Sequence, residues 1–411
     1  MKKLMYLLPF AALAMASCSS SEDVAQNVQT PSQELKFFPA VEGTTRGAIE
    51  TTASISKFHV LATGDLRTDA KAAEAEGIHY TPAWQAVEKN GSSWELKGQK
   101  LWWAKDDDFT PNKVAEGAFT AFANALNSEG VEMTAADATA ADAIKKLVNV
   151  TVPTTLADQK DLVVAYNAGK RTDFISGVPL HFRHALSQIV VNATYANDAE
   201  VSTDQFPELV VKVRSIKFSY LKNTATLSLP TASTAAGKTY EPVWAGATGT
   251  ESFAAKPAAE VTLASAAQFI DDSEAGNPLL LMPQTTAATT SLVSGSVDGA
   301  YLMVEVDINK KSDGSDVYPQ ENYTGNGGTG YAWIAVPVNI DWKGGYKYTY
   351  TLNFSNIAAG KAAPGATSGE AAANEGVAEN NPVIAGVRTP VNFLVTVEEA
   401  WIDGGSFTPA L

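Results

Sequence analysis

The sequence predicts a mainly β chain, and three observations carry that reading. Turn formers are frequent, with 30 Gly and 19 Pro in 411 residues. No long helical heptad run is present, and several segments alternate apolar and polar residues with the two-residue period of a half-buried strand. A hydrophobic content of 45% over this length is ample for a sizeable core, and roughly 100 to 200 residues per domain suggests two domains.

The N-terminus comes first. Met1-Lys2-Lys3 gives a positive start, Leu4 to Ala16 a short apolar run, and Ala16-Ser17-Cys18 small residues before a thiol, the pattern of a secretion signal over residues 1–17. The run is shorter than the roughly 20 residues a membrane span requires. Cys18 is the one cysteine of the chain, so no disulfide can form within the mature domain and burial with sheet hydrogen bonding must hold it together. Residues 19–46 are rich in Ser, Gln, Asn, Thr and Glu, a tether-like composition. Within it, Leu35, Phe37 and Val41 share one face of an extended segment that also carries Phe38, which a solvated spacer has no use for; the segment reads as a packed strand.

Further along, Tyr301 to Ile308 places Leu302, Val304, Val306 and Ile308 on one face, and Tyr346, Tyr348, Tyr350, Leu352 and Phe354 share another. Tyr331 to Ile340 runs through Asp341-Trp342-Lys343-Gly344-Gly345 into Tyr346 and predicts a hairpin. Ser54 to Thr63, Leu162 to Tyr166, Leu180 to Tyr195 and Leu209 to Tyr220 are further strands, the last two long enough for a bulge or bend. Ala-rich stretches at Ala115 to Asn127 and Thr134 to Val148 are candidate helices, and Ser355 to Asn381 is a low-complexity loop. Beyond it, residues 390–402 alternate again, with Val391, Phe393, Val395, Val397 and Trp401 on one face of a strand free to pair elsewhere.

Charge and side-chain chemistry narrow the function. A formal charge of -15, from 45 acidic and 30 basic residues, repels phosphate backbones and excludes nucleic acid as a natural partner. The four histidines are His59, His79, His181 and His184; the last two are three apart in a predicted strand, hence on opposite faces, and do not make a metal site. Gly325-Asn326-Gly327-Gly328-Thr329-Gly330 has dinucleotide-loop spacing, but a β-type run follows where a helix is needed. The acidic runs Asp106-Asp107-Asp108, Asp271-Asp272 and Asp313 to Asp316 lack the twelfth-position Glu of a calcium-binding hand and read as solvated loops. Trp102-Trp103 beside Lys105 suggests a carbohydrate platform, yet adjacent strand residues face opposite ways, so one indole belongs to a core. No nucleophile signature is present; no cofactor, metal or catalytic residue is expected, and the chain reads as a non-enzyme.

Taken in order, these segments resemble the fimbrillin family of Bacteroidetes, the subunits of protease-assembled pili. The residues that carry the resemblance are the lipobox-like end at Cys18, Thr44-Thr45-Arg46-Gly47-Ala48-Ile49 followed by Ser56-Lys57-Phe58-His59-Val60, and Leu180 to Ile189. Leu279-Leu280-Leu281-Met282-Pro283-Gln284, Tyr348 to Leu352, and Val395-Thr396-Val397 leading to Trp401 complete it. Ser19-Ser20-Ser21-Glu22-Asp23 resembles the acidic signal that sends lipoproteins of that phylum to the outer face of the outer membrane.

The resemblance implies two tandem transthyretin-like β-sandwich domains, here 47–176 and 177–411, behind a signal peptide 1–17 and a leader 18–46. It implies lipidation at Cys18 by lipoprotein-processing enzymes, cleavage by an Arg-specific protease between Arg46 and Gly47, and loss of the leader strand Leu35, Phe37, Phe38 and Val41. The strand of residues 390–402 would then enter the vacated groove of a neighbouring subunit, a head-to-tail contact that builds an open filament at the cell surface, serving adhesion. Removing residues 1–46 takes away four basic and four acidic residues, so the charge stays at -15 and maturation acts through the groove. The alternatives are a surface lipoprotein that keeps its lipid and binds glycan or a host ligand, and a lipid-retaining anchor subunit.

Overall fold

A computed structural model describes residues 33–41, 53–68, 82–105, 114–124, 145–196, 208–235, 240–291, 297–319, 330–355, 383–384 and 391–398; at 148, 355, 383–384 and 391–398 it describes the backbone alone. The chain divides into Met1–Pro31, outside the described residues, and Ser32–Leu411, which holds all that follows.

Among the described residues the regular structure is strand, with two short 3₁₀ turns. A seven-stranded sheet runs in the order Phe37–Val41, Val178–His184, Val163–Lys170, Glu116–Ala123, Lys57–Gly64, Trp84–Asn90, Ser93–Leu96. Its inward face is aromatic: Phe58, Phe119 and Phe182 are buried with Val60, Ala121 and Leu180, and Trp103 joins them from the short strand Trp102–Trp103. A second sheet centres on Ser187–Ala196, parallel to Lys347–Ser355. A third is built on the antiparallel pair Leu209–Leu221 and Tyr301–Lys310, with Ala332–Pro337 beside the latter. Ile189, Val191 and Tyr195 from the second sheet share one core with Val211, Val213, Phe218, Leu302 and Val304 from the third, so each strand shows the period-two pattern read from sequence because one face is buried against the other sheet.

The structure corrects three expectations. Ala115 to Asn127 holds no helix over its described residues: Glu116–Ala123 is a central strand of the first sheet, where Gly117, Ala118, Ala121 and Ala123 pack beside bulky Phe119 and Phe122. Small residues here reflect close packing, not helix propensity.

The expected hairpin of Tyr331 to Ile340 with Tyr346 to Phe354 is not formed either. Ala332–Pro337 pairs with Tyr301–Lys310 in the third sheet, and Lys347–Ser355 pairs with Ser187–Ala196 in the second, so the Gly-rich link crosses between sheets. Trp342 anchors the crossing, buried and donating its indole N–H to Tyr350 Oη at 2.9 Å. Gly344 makes it sterically possible: a Cβ there would lie 2.5 Å from the Ala185 carbonyl oxygen and 2.6 Å from Pro242. Leu180 to Tyr195 changes sheets at the same place, breaking after His184 and resuming at Ser187.

The third correction concerns Asp271, which is buried and not solvated: its carboxylate accepts the N–H of Val191 at 2.7 Å and of Ser273 at 2.9 Å. Leu209–Leu221 carries the expected irregularities, with register shifts at Val213/Ser215 and Ser219/Leu221 and a positive φ of 66° at Tyr220. Val178–His184 belongs to the first sheet, and Lys146–Thr151 pairs with Thr224–Ser228.

Candidate functional site: the slot of the leading strand

The segment 33–41 is the first described piece of chain, and it is held from two sides. Leu35 N–H donates to the Leu101 carbonyl and Trp103 N–H to the Gln33 carbonyl, each at 2.8 Å, an antiparallel bridge centred on Glu34 and Trp102. From Phe37 onward the partner changes: Phe37–Val41 lies parallel to Val178–Phe182, and Val178 N–H donates to the Lys36 carbonyl at 2.8 Å. The Gln33 side chain donates to the Ile175 carbonyl, and Lys100 pairs with Glu34 at 2.9 Å in solvent, where it contributes little.

Side chains follow the alternation. Leu35, Phe37 and Val41 are buried, Phe37 to 2% exposure, whereas Phe38 is 49% exposed. Phe37 meets Phe58 and Phe119 edge-on, with centroids 6.0 and 5.9 Å away, the arrangement ring quadrupoles prefer. Gly177 allows the close approach: at φ 132° it sits where a Cβ would be 2.5 Å from the Phe38 ring and 3.0 Å from the Lys36 carbonyl. On its other side the strand faces a cleft of about 510 Å³, closed across the way by Ser93–Leu96, the opposite edge of the same curled sheet.

Pro39 fits this one-sided position. The register turns the N–H groups of Phe38 and Ala40 toward Val178–His184 and leaves position 39 facing the cleft, so the missing proline N–H costs no ladder bond. Taking the segment away would uncover unpaired backbone on 101–103 and on 178–182, above an apolar floor of Phe58, Phe119 and Phe182. Exposed strand edges of that kind template the addition of another strand.

The C-terminal strand Val391–Glu398 pairs antiparallel with Lys347–Ser355 of its own chain, from Phe354↔Val391 to Lys347↔Glu398, on the edge of the second sheet. Trp401, Cys18, Arg46 and Gly47 lie outside the described residues.

Trp103 is fully buried and forms the wall that receives Gln33, so the tryptophan pair is part of the slot. His184 Nδ1 lies 2.7 Å from Asp161 Oδ2 with both side chains buried, a pairing across 23 residues that the sequence did not signal. His181 is half-buried, and burial, followed by the charge of Arg183, lowers its pKa; burial and then Lys57 lower that of His59, which stacks on Phe122. Among the described residues no three His, Cys, Asp or Glu side chains cluster to hold a metal ion, and no helix is long and apolar enough to cross a membrane. Asp313 accepts from Ser315 within its own exposed turn, and the strand Ala332–Pro337 does follow Gly330. Asp106 to Asp108 and His79 lie outside the described residues.

Fold and slot together define a β-rich protein whose first sheet is completed at one edge by the strand Phe37–Val41. The chain belongs to the fimbrillin-like family, whose family model matches residues 44–371. Membership implies a cell-surface location and a structural rather than catalytic role, with other fimbrial subunits as partners. Two similar solved structures are a fimbrial protein from Bacteroides vulgatus, 16% identical with a TM-score of 0.45 and covering 79% of this chain and 95% of that one, and a fimbrial assembly protein from Parabacteroides distasonis, 11% identical with a TM-score of 0.33, covering 79% and 92%. No curated protein matches the chain.

Proposed function

We propose that the protein is a building block of a surface fimbria: exported through its signal peptide, lipidated at Cys18 on the outer membrane, cut between Arg46 and Gly47 by an Arg-specific protease, and polymerised by strand donation. The observation that carries this reading is the leading strand. Residues 33–41 fill an aromatic slot, bonded to 101–103 through Gln33 and Leu35 and paired with 178–182 from Phe37 on, and they lie N-terminal to Arg46. One cut would therefore separate the strand from the sheet it completes. The two cores correspond, on this reading, to two tandem transthyretin-like domains, 47–176 and 177–411, that exchange strands: Val178–His184 joins the first sheet, and Lys146–Thr151 pairs with Thr224–Ser228 and packs in the other core.

The distribution of arginine supports the cut site. Of the six arginines, Arg67, Arg171 and Arg183 are buried and Arg214 lies inside a strand paired on both edges, which leaves Arg46 and Arg388, and of these Arg46 is the one that falls between the leading strand and Lys57–Gly64. A protease must draw an extended, accessible backbone into its cleft, which paired strands do not offer. The C-terminal strand docked on Lys347–Ser355 supports a precursor that keeps its donor covered until assembly.

The test is to treat purified precursor with an Arg-specific protease. The expected product begins at Gly47 and runs as ladders on unheated gels. A precursor cut there that stays strictly monomeric overturns the proposal. A surface-extracted protein whose mature N-terminus is lipidated Cys18 points to a tethered binding protein, and assembly that survives deletion of everything after Asn381 points to an anchor subunit.

A further inference from the structure

Resting on that reading, we infer the polarity and register of the incoming strand: the C-terminal strand of a second copy enters the slot parallel to Val178–His184, as the leader does, with Phe393 in the site of Phe37. Val391, Val395 and Val397 then take the sites of Leu35, Pro39 and Val41.

Three features select this arrangement. The first is volume. The slot's inward positions 35, 37, 39 and 41 present Leu, Phe, Pro and Val, and positions 391, 393, 395 and 397 present Val, Phe, Val and Val, with the aromatic second in both. The Phe37 site, boxed edge-on by Phe58 and Phe119, is the one that requires a ring. Running the donor the other way over the same four sites puts Val395 there and leaves a void, while Phe393 is forced against the site of Pro39. Sliding that reversed strand by two residues restores the ring but brings Thr389 to the buried site of Val41.

The second feature is where proline falls. In the parallel register Pro390 takes the place of Glu34, whose flanking bonds to 101–103 are made by the Gln33 carbonyl and the Leu35 N–H and not by its own N–H. Pro390 therefore costs no bond, and Val391 N–H can reach the Leu101 carbonyl as Leu35 does. The third feature is what the donor adds. Val395 replaces Pro39 and supplies an N–H on the side of the cleft, toward Ser93–Leu96, where the leader has none. The donor is thus the better edge strand of the two.

Cysteine pairing tests the register. Cys18 leaves with the leader, so cleaved subunits carry no native thiol. In the parallel register Thr396 falls at the place of Ala40, directly beside His181; in the reversed one Asn392 does. Neighbouring-strand partners of this kind are within disulfide reach. His181→Cys subunits are cleaved, mixed with cleaved Thr396→Cys or Asn392→Cys subunits, and oxidised. The expected result is an intermolecular disulfide with Thr396→Cys and its loss with Asn392→Cys. Ladders that assemble but cross-link through Asn392→Cys, or through neither position, overturn the register while leaving strand donation intact. Failure of the unsubstituted protein to form ladders after cleavage overturns strand donation itself, and this inference with it.

Discussion

Replacing Phe37 by Ala should destabilise the precursor and leave the mature subunit untouched. Phe37 is 2% exposed and meets two rings edge-on. Truncating a buried Phe costs about 3–5 kcal/mol. The strand is an edge strand bordering a cleft and can settle inward, so the lower end, about 3 kcal/mol, is expected. That is roughly a hundredfold in the unfolding equilibrium of the first core. Phe38→Ala is the control: its ring is 49% exposed, and a change there should stay within about 0.5 kcal/mol. Urea unfolding followed by tryptophan fluorescence reads the effect, because Trp103 lies in the same core, 5.7 Å from Phe119. Each variant is measured as precursor and again after cleavage and removal of the leader. The Phe37→Ala curve should be displaced before removal and coincide with the parent's afterwards, since residue 37 is then gone. A displacement that persists in the mature form, or a precursor indistinguishable from the parent, would refute the claim that the leading strand completes the first core.

Two further predictions concern the second sheet and the crossing that leads into it. Burial, partly offset by the N–H groups of Ser273 and Val191, raises the Asp271 carboxyl from its ordinary 3.8 to about 6. The folded state therefore binds the proton more tightly than the unfolded one, and stability is highest below pH 4 for this group and declines as pH rises to about 6. The span is of order 3 kcal/mol, and Asp271→Asn should flatten that part of a stability-versus-pH curve; an unchanged slope between pH 4 and 6 would show that Asp271 is not its source. Gly344→Ala should cost about 2 kcal/mol or more, because the added methyl meets the Ala185 carbonyl at 2.5 Å in a buried crossing that cannot easily shift. Thermal unfolding indistinguishable from the parent's would mean that the crossing yields more readily than its geometry indicates.

The amino-acid pattern alone determined that the chain is β-rich, which residues of Tyr301 to Ile308 and Tyr346 to Phe354 face inward, and that Leu35, Phe37 and Val41 must pack on something. Period-two alternation is a local property, written by the need to bury one face of each strand, and it is legible wherever that face is buried. It does not say which strand lies alongside. Tyr331 to Ile340 and Tyr346 to Phe354 look like a hairpin by spacing, yet the tertiary structure sends them to different sheets, because Trp342 is buried at the corner and Gly344 lets the chain pass Ala185. The same limit hid the walls of the slot. Residues 101–103 and 178–182 are 75 or more positions apart, and what joins them is the leading strand lying between, a long-range pairing with no local signature. Asp161 with His184, and Asp271 beneath Val191, escaped for the same reason: a carboxylate in a polar stretch reads as solvated until packing of distant strands removes the water around it.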